Sequence, residues 1–135
     1  MKRSRRAAAL LLAVFLSACH GNEPVKPGPG MLVATLSTPR AEPSRAAVVL
    51  ISGPEAVTEV QGASPAYFVA ARSEGMLTRV AVFGTLVDGP LLRFTVPDAR
   101  RAGEYRATVV DAADSANAPS AAVAEYALTL APAGR

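Results

Sequence analysis

One cysteine, one histidine, two lysines and no tryptophan occur in 135 residues, and each scarcity closes off a chemistry. A single cysteine cannot form a disulfide within its own chain, so stability has to come from apolar burial. A protein zinc site needs three or four convergent ligands, and Cys19 with His20 supplies only two. No histidine follows His20, which leaves every serine without the usual base. Lys26 is the only lysine after Lys2, so a Ser–Lys pair is nearly excluded as well. Eleven Asp and Glu remain, but no spacing singles out two of them as a hydrolytic pair. The composition reads as a non-enzyme, and no cofactor or metal is implied.

Positive charge is scarce too, once its placement is considered. The formal net charge is +3, but Lys2, Arg3, Arg5 and Arg6 all lie in the first six residues. From Cys19 onward ten basic side chains face eleven acidic ones, a net of −1. A near-neutral body carries no electrostatic footprint for nucleic acid. The sequence pI of about 9.5 belongs to the leader.

That leader has a definite order. "MKRSRR" (1–6) is followed by the apolar run "AAALLLAVFL" (7–16), then by Ser17, Ala18 and Cys19. Charged head, apolar middle and small residues before a cleavage point make a secretory signal. Ten apolar residues fall short of the ~20 that span a bilayer as a helix. "LSAC", Leu16 to Cys19, resembles the bacterial lipoprotein lipobox. The resemblance implies a diacylglyceryl group on the Cys19 sulfur, cleavage between Ala18 and Cys19, and acylation of the new amino terminus. Each buried acyl CH₂ contributes roughly 0.8 kcal/mol, and one chain holds poorly, so two or three make a stable anchor. The Cys19–His20 pair is then no catalytic dyad, because its sulfur is a thioether and its histidine sits in a leader beside lipid. "SRR" (4–6) is similar to the twin-arginine signal, but Ala8 and Ala9 stand where that signal prefers bulk, which favours general secretion. By the lipoprotein resemblance, the absence of Asp at position 20 implies the outer membrane in a double-membraned cell, and otherwise the outer face of the plasma membrane.

Residues 20–30, "HGNEPVKPGPG", hold three prolines and three glycines without apolar periodicity and read as a disordered tether that reaches about 34 Å at ~3.1 Å per residue. From Met31 short apolar runs alternate with turn residues: "MLVATLST", "AAVVLIS", "AVTEVQ", "AYFVAAR", "MLTRVAVFG", "PLLRFTV", "EYRATVVDA" and "AVAEYALTL". Eight such runs predict an all-β, antiparallel two-sheet sandwich. The domain plan is a signal peptide over 1–18, a lipidated cysteine and tether over 19–30, and a sandwich over 31–132. Tyr105, Ala107 and Val109 share one face of the seventh run; Ala124, Tyr126, Leu128 and Leu130 share one face of the eighth. "AAVVLIS" is apolar on both faces, as in a central strand covered on two sides. "PDARRAG" (97–103) fits a helical turn, with Pro97 at its first position and Gly103 as its stop. Phe68, Phe83, Phe94 and the three tyrosines are expected in an alanine-rich core of modest stability.

Few residues offer a binding site. "DAADSANAPS" (111–120) supplies oxygen ligands in Asp111, Asp114, Ser115 and Asn117, so calcium has to be weighed. Ala113 and Ala116 occupy the third and sixth positions, and no glutamate follows at the twelfth, which breaks the EF-hand pattern. A turn in which Asp and Asn bond their own backbone explains the same letters. Sugar binding would need an exposed aromatic platform, and Tyr67 is the one aromatic whose face the pattern leaves open, core or sheet-edge packing being the ordinary alternative. Arg100, Arg101 and Arg106 could meet an anion or an acidic partner, although Asp98 and Glu104 dilute that cluster. "GTLVDGPLLRFTVPD" (84–98), with "AAVVLISGP", resembles the strand pattern of cohesin and carbohydrate-binding-module sandwiches. That resemblance implies a protein-docking or surface-display module and carries no functional residue. The expected partners are membrane lipid through Cys19 and a protein partner in the envelope, with a tethered carbohydrate-binding module as the alternative.

Overall fold

Alternating side chains sort the body onto two sheets, and the computed structural model shows how the sheets close on each other. It describes residues 24–39, 43–120 and 123–134. The signal helix expected over 1–18, the Ala18–Cys19 cleavage point, the lipidation site Cys19 and His20 lie outside the described residues. No helix among the described residues is long and apolar enough to cross a membrane.

Eight strands follow in order: β1 Gly30–Ser37, β2 Ala46–Ser52, β3 Thr58–Gly62, β4 Phe68–Glu74, β5 Leu77–Phe83, β6 Gly89–Val96, β7 Arg106–Ala113 and β8 Ala127–Pro132. The first sheet has the order β3-β6-β1-β8 and the second β4-β5-β2-β7. Every paired strand is antiparallel to its neighbour. The fold is an all-β sandwich. Only β4 and β5 form a hairpin; each other connection crosses between sheets. Glu74 pairs with Leu77, which leaves Gly75 and Met76 as a two-residue turn. Gly75 has φ +60°, and glycine leads such turns because a side chain there is strained.

Inward residues form one core. Leu32, Ala34 and Leu36 of β1 and Phe94 and Val96 of β6 meet Ala47, Val49 and Ile51 of β2 and Val80 and Val82 of β5. Each large side chain buried there is worth roughly 1.5–3 kcal/mol. Two bulges adjust the fit. Leu91 is the extra residue where Ala34 pairs with Leu92 and Thr35 with Pro90, so adjacent Leu91 and Leu92 are both buried. Val110 is the extra residue in β7, where Val49 pairs with Val109 and Val48 with Asp111. The inward phase therefore jumps from Val109 to Ala112, and Val110 is left exposed. Tyr105 and Tyr126 are buried as the alternation predicts, the latter hydrogen-bonded to the buried Ser44 hydroxyl.

Several expectations need correction. Phe68 and Phe83 do not join the core: they are 69% and 48% exposed. Strand parity is the reason, since Val69 and Val82 take the inward positions and turn both rings outward. Strand β2 is central, and among the described residues no layer lies over its outer face, which carries the half-buried Ala46, Val48 and Leu50. The helical turn is a 3-10 helix over Ala99–Glu104, capped by Asp98, whose side chain accepts the Arg100 N–H at 3.0 Å. Pro97 precedes that cap and Gly103 lies inside the helix. Ala124 sits exposed in a short 3-10 turn, Val123–Glu125, so β8 starts at Ala127 and Val123 packs on the core instead.

The end of the tether belongs to the body. The Gly28 carbonyl accepts the Ala99 N–H at 2.8 Å. A Cβ on Gly30 would come within 2.6 Å of the Ala99 Cβ, so only glycine permits β1 to start where it does. The chain thus enters the sandwich beside the 3-10 helix. The β4–β5 turn lies at this end too, since Ser52 pairs with Leu77 and with Arg106.

Candidate functional site

The two outer faces of the sandwich differ in chemistry. On the first sheet Thr35, Arg93, Thr95 and Thr129 point outward, and Thr95 donates to the Glu59 carboxylate at 2.7 Å. Met31, Val33, Ala127 and Ala131 are the apolar side chains of the same face. Such a polar, half-wet face is ordinary for an antiparallel sandwich.

The second sheet mixes apolar and charged side chains on its outside. Pairing across β4, β5, β2 and β7 sets its outward side chains in rows. Phe68, Phe83, Ala46 and Ala113 form the row farthest from the tether. Next come Ala70, Ala81, Val48 and Asp111, then Arg72, Arg79, Leu50 and Thr108, and finally Glu74, Leu77, Ser52 and Arg106. Ala70, Ala81 and Val48 sit between rows that carry the larger Phe68, Phe83, Arg72 and Arg79, which leaves a hollow. The hollow is an open groove of about 490 Å³ whose walls include Val48, Leu50, Ala70, Leu77, Arg79 and Ala81. The exposed Phe68 and Phe83 rings form the row beyond it, tilted at 43° to each other with centroids 6.2 Å apart. Met76, 62% exposed at the hairpin tip, stands at the near end.

This face has a free side. From Ala70 to Glu74 every residue of β4 is exposed, including Ala71 and Ser73, whose parity turns them inward. Strand β3, which faces it across the sandwich, is only five residues long and bulged, with Glu59 at φ +50°. The other edges are interrupted. Strand β7 carries the Val110 bulge, and the loop after it folds back through an Ala113–Pro119 bridge and the Ser120 N–H to the Ala112 carbonyl. Strand β8 ends in Pro132. Strand β4 alone among these edges runs in unbroken register with its neighbour and meets neither bulge nor proline.

The residues singled out from the sequence lie elsewhere and are not brought together. Tyr67 is half-buried, packed against the core, with its ring over Gly84 and its carbonyl and Cβ against Gly62. A Cβ on Gly84 would approach that ring to 3.0 Å, so its place is a packing contact at the end remote from the tether. Arg100 and Arg101 lie at the opposite end. Arg100 forms a two-pronged pair with Asp98, its closest contact 2.8 Å, and Arg101 pairs with Glu104 at 2.7 Å. The Arg100 hydrogen bonds hold the Asp98 carboxyl below the usual range, and the two acids raise both guanidinium pKa values. Arg106 donates to the Gly103 and Tyr105 carbonyls.

In the 111–120 loop Asp114 Oδ1 accepts the Ala116 and Ala118 N–H groups, at 2.8 and 3.0 Å. Asp111 accepts the Ala112 N–H, and Asn117 adopts φ +59°. These are the backbone-bonding turns that Asp and Asn favour. Among the described residues no three His, Cys, Asp or Glu side chains gather as a metal site.

Sequence reasoning missed the face itself. Its signal was nonetheless present: "AAVVLIS" and "LTRVAVF" are apolar at both parities, which marks either a doubly covered strand or one with an uncovered apolar side. No protein-family model, no curated protein and no solved structure matches the chain.

Proposed function

We propose that this is a lipid-anchored, non-catalytic protein of the bacterial cell envelope that docks a protein partner on the outer face of its second sheet. The observation that carries the reading is the hollow on that face, with an apolar floor and the exposed Phe68 and Phe83 rings in the row beside it. An exposed apolar floor rimmed by charged side chains is a common setting for association. Phe68 and Phe83 are candidate anchors of the contact, since buried aromatics carry much of the energy of protein interfaces.

The anchor follows from "LSAC" and a leader too short to span a bilayer. Acyl chains on Cys19 would hold the chain at the membrane, with the outer membrane as the destination in a double-membraned cell. The tether would leave the groove's aromatic end directed away from the lipid. Protein is favoured over sugar as the ligand because Tyr67, the candidate platform, is spent on packing over Gly62 and Gly84.

Photocrosslinking in intact envelopes tests the docking. With benzoylphenylalanine at Phe83, a discrete adduct of higher mass is expected, and none with the same group at Thr129 on the polar face. Equal adduct patterns from both positions, or no adduct from either, would remove the docking reading.

A further inference from the structure

The groove has a charge defect at its centre. Arg72 and Arg79 stand directly opposite each other on the β4–β5 ladder and share the outer face. Like charges so placed destabilise a sheet. Arg79 makes no ion pair among the described residues. Arg72 has only Glu74, at 3.7 Å, with both side chains about four-fifths exposed (84% and 78%), and such a pair contributes little. Two cations therefore sit at the hollow, next to a strand edge that meets neither bulge nor proline.

Resting on the docking reading above, we infer that the occupant is an extended segment of another protein, added as a strand on the free edge of β4. It carries a carboxylate opposite Arg72 and apolar side chains two and four residues away. Added strands gain affinity from main-chain hydrogen bonds and specificity from alternate side chains. A side chain opposite Arg72 points to the same outer face, within reach of both guanidinium groups, which prefer carboxylates. Those two and four residues further along lie beside Ala70 and Phe68. A second copy of this chain paired over the whole of β4 does not meet the requirement. In the two-fold register that overlaps the whole of β4, Ala71 faces the copy's Ala71, and Arg72 comes to lie diagonal to the copy's Arg72.

A random dodecapeptide library displayed on phage, selected on the full chain in detergent, tests this. The wild type should enrich peptides with Asp or Glu followed or preceded by apolar residues at spacings of two and four, by about tenfold over the input. The double variant Arg72→Glu/Arg79→Glu should enrich Lys or Arg in that place. Both side chains are exposed, so its melting temperature should match the wild type. Arg79→Gln alone, which removes one charge and no core packing, should weaken the acidic preference several-fold. No acidic preference on the wild type, or the same preference on the reversed surface, overturns the inference. So does concentration-dependent dimerisation that Ala71→Pro abolishes, since the occupant would then be a second copy. An adduct from Phe83 in envelopes without acidic selection defeats this inference alone, whereas absence of the adduct defeats the docking reading itself.

Discussion

Asp88 joins the ends of two strands with one oxygen. Its Oδ1 accepts the Thr38 N–H at 2.6 Å and the Thr38 hydroxyl at 2.8 Å, which closes β1 against the start of β6. Those two bonds, the backbone one first, lower the Asp88 carboxyl below its ordinary value, and Arg100 does the same for Asp98. Both carboxyls are thus more acidic folded than unfolded. Their contribution is complete above the unfolded value of about 3.9 and is lost as pH falls through the depressed folded values. Melting temperature should be level from about pH 5 upward and decline below about pH 4. In the Asp88→Asn/Asp98→Asn variant the neutral-pH melting temperature should drop and the acid decline should flatten. An acid decline as steep as the wild type's would contradict the assignment.

At the level of elements, the β4–β5 hairpin holds the proposed edge in place, and its turn depends on Gly75. Gly75→Ala puts a side chain at φ +60° and should cost about 1 kcal/mol, with Gly75→Asn milder. Hydrogen exchange of the Phe68–Glu74 amides should quicken in the alanine variant; unchanged exchange and stability would show that the turn does not set the edge.

The elements were largely legible beforehand. All eight apolar runs became strands, since period-two patterning and turn residues are local signals. What was not legible depends on partners far along the chain. Phe68 and Phe83 were expected inside because both are large and apolar, but parity relative to Val69 and Val82 decides, and that parity is unreadable where both phases are apolar. The Val110 bulge is fixed by the pairing with β2 across more than fifty residues. Tyr67's place depends on two glycines, one on each side of it in sequence, that only the fold assembles.

For the whole molecule, the proposed lipid anchor and the proposed docking face stand as separate claims. The described residues before the sandwich do not hang free: the Gly28 carbonyl bonds the Ala99 N–H and Gly30 seats against Ala99 on the 3-10 helix. In labelling with an alkynyl palmitate, the wild type should incorporate label and Cys19→Ser should not. Equal incorporation, or a full-length unprocessed chain in the cytosol, would end the lipidation proposal while leaving the sheet face to be tested by itself.

Cysteine scarcity makes that last test clean. Cys19 is the only cysteine and would be blocked as a thioether, so a cysteine introduced elsewhere reports alone. The most direct measurement is the rate at which a small maleimide labels Ala70→Cys, on the groove, and Thr129→Cys, on the polar face, in intact envelopes and in the purified chain. Occupied docking predicts that Ala70→Cys reacts at least several-fold more slowly in envelopes than when purified, while Thr129→Cys reacts alike in both. Equal protection of the two positions, or none at Ala70→Cys, would contradict it.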